Sequence, residues 1–176
     1  MLMLKNTLSG ELEEFKPIKK GEVGMYNCGP TVYNYAHIGN LRAYVFSDIL
    51  KRTLKYNDYQ VTQVINITDV GHLTDEGLDK IEERAKEESK GVQDMANMYI
   101  KKFFEDLSEL NINVGDTIFP KASEHINEQI EMIEKLESRG FTYKTSDGIY
   151  FNTAEYIGYG KLGNINIDEL KEGARV

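Results

Sequence analysis

Two short strand-like runs with a helical segment between them dominate the first third of the chain. Residues 22–27 (EVGMYN) and 60–67 (QVTQVINI) are short and rich in apolar and β-branched side chains, which is typical of strands. Between these runs apolar side chains recur at a helical spacing, at Leu41, Val45, Ile49 and Leu54. The order strand, helix, strand predicts a βαβ unit, and therefore an α/β fold with a parallel sheet and a right-handed crossover.

The later part of the chain is mainly helical in its pattern. Helices are predicted over residues 75–90, 91–110 and 123–139, and the first of these is strongly charged. We expect the apolar faces of the other two to point inward. These faces consist of Val92, Met95, Ala96, Tyr99, Phe103 and Leu107 in one helix, and of Ile126, Ile130, Ile133 and Leu136 in the other.

Small hairpins are predicted before and after these elements. Residues 1–16 form a strand pair around Ser9-Gly10, and residues 141–152 form a hairpin around Ser146-Asp147-Gly148. Because one parallel pair cannot make a complete doubly wound sheet, the pattern predicts half of a nucleotide-binding fold followed by a helical insertion. We therefore expect the chain to be a piece of a longer protein.

Composition narrows the class of protein. The chain has 176 residues, 40% hydrophobic and 28% charged, with a formal net charge of −8. This profile is typical of a soluble globular protein, and no apolar run approaches the ~20 residues of a membrane helix, so no membrane partner is expected. The single cysteine, Cys28, excludes an internal disulfide and favours a cytoplasmic location. An acidic chain without a basic stripe is not a general nucleic-acid binder.

The loop over residues 28–40 is the first candidate for chemistry. It follows a predicted parallel strand and leads into a helix, which is where open α/β sheets bind nucleotides. The N-terminus of that helix attracts phosphate, and His37 and Asn40 supply hydrogen-bonding groups beside it. Gly39 allows close approach of the backbone to a ligand. An alternative explanation is a simple helix cap, with Asn40 as the N-cap and His37 as a surface residue.

Four segments resemble the cysteinyl-tRNA synthetases, a branch of the class I aminoacyl-tRNA synthetases. Residues 26–40 (YNCGPTVYNYAHIGN) resemble their first active-site motif, residues 66–70 (NITDV) the segment after the next strand, and residues 158–162 and 173–176 their connective insertion. Class I synthetases generally carry His-Ile-Gly-His, and Asn in the fourth place matches the cysteinyl branch. The motif residues are Pro30, Thr31, Val32, Tyr33, Asn34, Tyr35, Ala36, His37, Ile38, Gly39 and Asn40.

The resemblance implies a fold and a reaction. Residues 1–90 would form the first half of a Rossmann-like catalytic domain, and residues 91–176 a connective insertion that is incomplete at its C-terminal end. The full-length protein would be a cysteine–tRNA ligase, which activates L-cysteine with ATP and Mg to cysteinyl adenylate and transfers it to tRNA(Cys). The tRNA would be bound mainly by regions absent from this chain, and the chain alone would be inactive.

The resemblance also implies roles for individual residues. His37 and Asn40 match catalytic positions that stabilise the phosphates during adenylate formation. The ATP-binding positions are Thr31, His37, Gly39 and Asn40, and the positions that line the pocket for cysteine and its adenylate are Cys28, Gly29, Thr31 and Thr68.

Cys28 also matches a zinc ligand in the family, where the metal binds the thiolate of the substrate. Shape alone separates cysteine from serine poorly, whereas zinc prefers a soft thiolate to a hydroxyl. The full-length chain would carry one zinc, with its other ligands downstream of Val176, where we also expect the Lys-rich second half of the ATP clamp. Without the motif, Cys28 would be interpreted as a small buried residue at the end of a strand.

Two other functions stay open on the sequence alone. One is a catalytically inactive, stand-alone binding module that descends from a synthetase. The other is a related cysteine ligase that acts on an amino sugar and shares the fold and the zinc chemistry. Residues 66–70 and Asn40 favour the tRNA enzyme over the amino-sugar ligase.

Overall fold

The computed structural model describes residues 1–71, Ile81, Lys86 and residues 91–163. Apart from Ile81 and Lys86, the helix predicted over residues 75–90 lies outside the described residues, and so does the motif segment 173–176. The chain divides into two compact units, one of residues 17–125 and the other of residues 1–16 together with those from 126 onward. The domain boundary expected between residues 90 and 91 stays a prediction.

The described part of the chain contains the following ten helices and strands, in chain order. They are β1 (Met3–Lys5), β2 (Leu12–Glu14), β3 (Glu22–Asn27), α1 (Ile38–Tyr56), β4 (Gln60–Ile65), α2 (Val92–Glu109), β5 (Thr117–Ile118), α3 (Ile126–Ser138), β6 (Thr142–Lys144) and β7 (Ile149–Phe151). Two short 3-10 turns, Ala122–His125 and Thr153–Glu155, complete the set.

A parallel sheet forms the centre of the unit of residues 17–125. Its strand order is β3-β4-β5, and both neighbouring pairs are parallel. The register of β3 on β4 runs from Glu22 opposite Gln60 to Asn27 opposite Ile65, so the two strands end at the same level. The predicted parallel sheet is confirmed, and β5, which follows α2, is a third strand that the sequence pattern did not indicate.

Helix α1 begins three residues earlier than its apolar spacing suggests. Its N-cap is His37, which has an extended backbone (φ −101°, ψ 171°) and a side chain that accepts a hydrogen bond from the Gly39 N–H. Asn40 is the third residue of the helix and completes a capping box with His37. The alternative of Asn40 as the N-cap is therefore wrong, because the imidazole supplies the capping acceptor instead.

The apolar face of α2 packs in the same unit as the parallel sheet. Two buried clusters form there, and α2 contributes to both. One cluster contains Val32, Ile67, Ile81, Met95, Ala96 and Tyr99, and the other contains Tyr44, Ile65, Phe103 and Leu107. The predicted inward face of α2 is confirmed except at Val92, which is 39% exposed in the first turn.

A polar network crosses this core from α1 to the end of β3. The buried Gln63 side chain donates to Asn27 Oδ1 (2.8 Å) and Ser47 Oγ (2.7 Å) and accepts from Thr117 Oγ1 (3.0 Å). The buried Lys51 ammonium in turn donates to Thr117 Oγ1 (2.8 Å) and pairs with Asp116. The network ties α1, β4 and β5 to Asn27, the residue before Cys28.

Replacing Asp116 with asparagine is expected to give a pH-dependent loss of stability. Hydrogen bonds from Lys51 and then Lys55 lower the pKa of Asp116 from 3.8 to about 2. A lowered carboxyl pKa stabilises the fold above the unfolded value of about 3.8, and this contribution disappears as pH falls through about 2.

Because the Asp116 side chain is 44% exposed, solvent screening limits this contribution to roughly 1 kcal/mol. Denaturant unfolding at several pH values measures the free energies of unfolding of the native protein and the variant. The difference between them is expected to narrow between about pH 4 and pH 2. A difference that stays constant over that range would contradict the ion-pair assignment.

The second unit consists of short antiparallel pairs and α3. β1 pairs with β2, and β6 pairs with β7 with Thr142 opposite Phe151 and Lys144 opposite Ile149. Asp147, in the turn between β6 and β7, accepts hydrogen bonds from Thr145 Oγ1 (2.6 Å) and Tyr150 Oη (2.7 Å).

The predicted inward face of α3 is wrong for three of its four residues. Ile126, Ile130 and Ile133 are 43%, 48% and 42% exposed. Helical spacing aligns apolar side chains on one face, but burying that face requires a second packed layer, which no helical period encodes.

No helix in the described residues is long and apolar enough to span a membrane.

Candidate active site

The two motif segments meet at the carboxyl ends of β3 and β4. The Thr68 N–H donates to the Pro30 carbonyl (2.9 Å), and the Val32 N–H donates to the Thr68 carbonyl (3.1 Å). An isolated parallel bridge joins Thr31 to Thr68. Parallel pairing therefore resumes beyond the end of the named strands and places the loop beside Thr68, as expected for adjacent strands of an open α/β sheet.

The segment around Thr68 is also held on its other side. The Ile67 N–H donates to the Pro120 carbonyl (2.8 Å), and the Ala122 N–H donates to the Ile67 carbonyl (2.9 Å). The buried Asp69 carboxylate accepts from the Ser123 N–H (2.9 Å) and the Ser123 hydroxyl (2.6 Å). Since Thr68 lies between two anchored segments, its position is set by the backbone on both sides.

Asn66 links the same two motif segments through its side chain. Its Oδ1 accepts hydrogen bonds from the Gly29 N–H (2.9 Å) and the Tyr26 hydroxyl (2.9 Å). Its Nδ2 donates to Thr68 Oγ1 (3.1 Å). The backbones of Gly29 and Asn66 also approach each other closely, because a Cβ on Gly29 would lie 1.5 Å from the Asn66 carbonyl oxygen. Glycine is therefore required at position 29.

His37 and Asn40 form a capping box at the N-terminus of α1. His37 Nδ1 accepts from the Gly39 N–H (3.0 Å), and Asn40 Oδ1 accepts from the His37 N–H (3.1 Å). Because Nδ1 is an acceptor, the neutral imidazole carries its proton on Nε2. The capping bonds leave His37 Nε2–H and Asn40 Nδ2 as donors, and neither has a hydrogen-bond partner among the described residues.

A cavity of about 240 Å³ lies beside this loop. Its wall contains residues 29–37, Asn40, Tyr44, Tyr99 and Phe103. A neighbouring depression is lined by Asn27, Cys28, Gly39, Arg42, Ala43, Tyr44 and Phe46. Of the predicted site residues, Gly29, Thr31, His37 and Asn40 share the first cavity, whereas Cys28 and Gly39 line the second. Thr68 is bonded to the loop but is not part of either wall.

Aromatic side chains form the part of the wall that sequence reasoning missed. Tyr99 and Phe103 come from α2, far along the chain from the loop, and were expected only as core. The Tyr35 and Tyr99 rings meet edge to face at 5.1 Å. Tyr44 borders both depressions, and burial, followed by the charge of Cys28, raises its pKa to about 12. The Tyr44 phenol therefore stays neutral to a higher pH than an ordinary tyrosine.

A comparison with known protein families shows which family the chain belongs to. The family described as "tRNA synthetases class I (C) catalytic domain" matches residues 14–176. The chain belongs to this family of cysteinyl-tRNA synthetases.

Curated relatives of the family agree with this assignment. The chain is 52% identical to a cysteine–tRNA ligase of Treponema denticola and 45% identical to one of Fusobacterium nucleatum, over 99% and 100% of this chain. It is 43% identical to a cysteine–tRNA ligase of Pyrococcus furiosus, over 100% of this chain. These matches cover 36%, 36% and 35% of the respective relatives, so the chain spans about a third of their length.

The zinc that the family implies does not fit the described residues by themselves. Cys28 is a free, exposed cysteine directly after β3, and its thiol is therefore accessible to a metal. No group of three or more His, Cys, Asp or Glu that could bind a metal ion occurs among the described residues. One thiolate does not form a zinc site, because protein zinc sites use three or four protein ligands.

Proposed function

We propose that this chain is the N-terminal catalytic portion of a cysteine–tRNA ligase. The full-length protein would join L-cysteine to ATP, release pyrophosphate, and transfer the cysteinyl group to tRNA(Cys), which would be bound mainly by other regions. One observation carries the proposal: the two motif segments, at residues 26–40 and 66–70, are hydrogen-bonded to each other at the carboxyl edge of a parallel sheet. The relatives named above are all cysteine–tRNA ligases, which does not favour an amino-sugar ligase or an inactive module.

The proposal extends to the architecture. Residues 1–90 would supply the first half of a Rossmann-like catalytic domain, and residues 91–176 would contain the connective insertion, with its small hairpin β6-β7. The parallel pair β3-β4 and the crossover through α1 support the first part, whereas β5 of the same sheet lies beyond residue 90. We also place the protein in the cytoplasm, where the single cysteine, Cys28, would remain reduced.

In the proposed reaction the loop binds the phosphates of ATP. His37 Nε2–H and Asn40 Nδ2 would donate to phosphate oxygens, and the N-terminus of α1 would attract the same negative charge. Thr31 in the cavity wall would add a contact, and Gly39, whose N–H already donates to His37 Nδ1, would contribute by allowing close approach of the ligand. The cysteine carboxylate attacks the α-phosphorus, and pyrophosphate leaves with the electrons of the broken P–O bond. These residues would stabilise the charge that develops on the phosphate oxygens.

The cysteine end of the site would be formed by Cys28, Gly29, Thr31 and Thr68. In the full-length protein Cys28 would contribute one thiolate ligand to zinc, and the other ligands would come from outside the described residues. The metal, when bound, would select the substrate thiolate over the hydroxyl of serine. The exposed position of Cys28 beside the Tyr44 depression is compatible with this role.

The function can be tested directly in the full-length protein. Cysteine-dependent exchange of labelled pyrophosphate into ATP measures adenylate formation. We expect exchange with cysteine and none above background with serine. Exchange that is absent with cysteine, in a preparation that binds zinc and is folded, would refute the proposed function.

Titration of the isolated 176-residue chain with zinc is expected to show weak binding or none. A single thiolate leaves the metal mostly hydrated, whereas structural zinc sites gain ~10 kcal/mol or more from several ligands on one scaffold. Isothermal calorimetry of the chain and of its Cys28→Ser variant measures the difference. Submicromolar affinity that disappears with Cys28→Ser would contradict this prediction and would place further ligands within the chain.

A further inference from the structure

Asn66 is half-buried directly after β4, and its carboxamide bonds to residues of both motif segments. Resting on the proposed function, we propose that Asn66 is a positioning residue that fixes the hydrogen-bond direction of the Thr68 hydroxyl for cysteine recognition. The motif implied a role for Thr68 and none for Asn66.

The orientation of the Asn66 carboxamide follows from its partners. A backbone N–H can only donate, so the atom that faces the Gly29 N–H at 2.9 Å must be the oxygen. The Tyr26 hydroxyl occupies the second lone pair of the same oxygen at 2.9 Å. The amide nitrogen is therefore the atom that faces Thr68 Oγ1 at 3.1 Å, and it can only donate there.

This orientation determines what the Thr68 hydroxyl can offer. Its oxygen accepts from Asn66 Nδ2, so its proton points to a different acceptor. A hydroxyl has a single proton, and Asn66 leaves that proton for a ligand that carries lone pairs. The carboxylate of cysteine and the carbonyl oxygen of its adenylate have this chemistry.

Backbone contacts around Asn66 and Thr68 prevent these two residues from rearranging. Thr68 is bonded through its backbone to Pro30 and Val32, and Ile67 beside it is bonded to Pro120 and Ala122. Gly29 lies so close to the Asn66 backbone that a Cβ would reach within 2.7 Å of the Asn66 carbonyl carbon. A change in the Asn66 side chain therefore alters the direction of the hydrogen bond rather than the path of the chain.

The variant Asn66→Asp isolates this effect. A carboxylate has nearly the same shape and still accepts from Gly29 and Tyr26, but it cannot donate. The Thr68 hydroxyl would then give its proton to the substituted carboxylate and lose it for the substrate. In the full-length protein we expect kcat/KM for cysteine in pyrophosphate exchange to fall about 10-fold or more, mainly through KM, with KM for ATP little changed.

Two further variants make the test specific. Asn97→Asp adds the same charge on the exposed face of α2 and is expected to leave the kinetics unchanged. Thr68→Val removes the hydroxyl with little change in shape and is expected to cause a similar loss. The double variant Asn66→Asp/Thr68→Val should lose no more than the single variants, because both remove the same hydrogen bond to substrate.

The outcomes separate the inference from the function. Wild-type KM for cysteine in either Asn66→Asp or Thr68→Val, or additive losses in the double variant, would overturn the inference while leaving the ligase activity in place. An equal rise of KM for ATP and cysteine with a lower melting temperature would overturn it in favour of a purely structural role. Absence of cysteine-dependent exchange in the unmodified protein would overturn both. If Asn66→Asp does not fold, a wild-type KM for cysteine in Thr68→Val would still overturn the inference.

Discussion

Replacing His37 with alanine in the full-length protein is expected to slow adenylate formation by on the order of 100-fold or more. The imidazole Nε2–H would no longer donate to the phosphate charge that develops in the transition state, and losses of that size are typical when one such donor is removed. KM for cysteine should change little, because in the proposed site other residues would bind that end of the substrate. Cysteine-dependent pyrophosphate exchange measures both quantities.

The capping role of His37 calls for a matched variant. His37 Nδ1 caps α1 through the Gly39 N–H, so alanine also removes a cap, which is worth ~1 kcal/mol of stability. His37→Asn keeps a good N-cap acceptor but lacks Nε2–H. We expect this variant to retain the melting temperature and still lose the exchange rate. A His37→Asn protein with the wild-type rate would show that His37 acts only as a cap.

Replacing Gly29 with alanine is expected to lower the free energy of unfolding by about 3 kcal/mol or more and to abolish pyrophosphate exchange. The added Cβ would lie 1.5 Å from the Asn66 carbonyl oxygen and 2.7 Å from its carbonyl carbon. Both are backbone atoms in the segment that also places Thr68, so relief of the clash would separate the two motif segments. Denaturant unfolding and pyrophosphate exchange measure the two effects.

Gly24 provides the control, because it lies in the same strand β3. A Cβ at Gly24 would meet no atom within 4 Å. Gly24→Ala is therefore expected to change stability by no more than about 0.5 kcal/mol and to leave exchange intact. Equal effects of Gly29→Ala and Gly24→Ala would show that close approach to Asn66 is not what requires glycine at position 29.

The site residues were predictable to different degrees. Cys28, His37, Asn40 and Thr68 stand in recognisable motifs, so the sequence indicates them as soon as the resemblance is seen. Their roles remain predictions, whereas their mutual placement follows from two parallel strands that end at the same level. The contribution of α2 to the cavity wall was not predictable, because nothing local distinguishes Tyr99 from an ordinary core residue.

The start of α1 shows a limit of local pattern. Apolar spacing begins at Leu41, yet the helix begins at Ile38, because the cap is an imidazole rather than the Ser, Thr, Asp or Asn that sequence rules favour. The structure gives His37 Nδ1 a capping role and leaves Nε2–H without a hydrogen-bond partner among the described residues. The capping role depends on the distance between His37 Nδ1 and the Gly39 N–H, which the sequence pattern does not show.

The sequence by itself determined the βαβ unit, the inward face of α2 and the motifs that indicate the family, since periodicity and local chemistry encode these. Only the tertiary structure decided that β5 joins the sheet and that Ile126, Ile130 and Ile133 of α3 remain exposed. It also decided that Asn66 links Gly29 to Thr68. Each of these depends on which distant segments lie against one another, and that is set by the packing of the whole unit rather than by any local period.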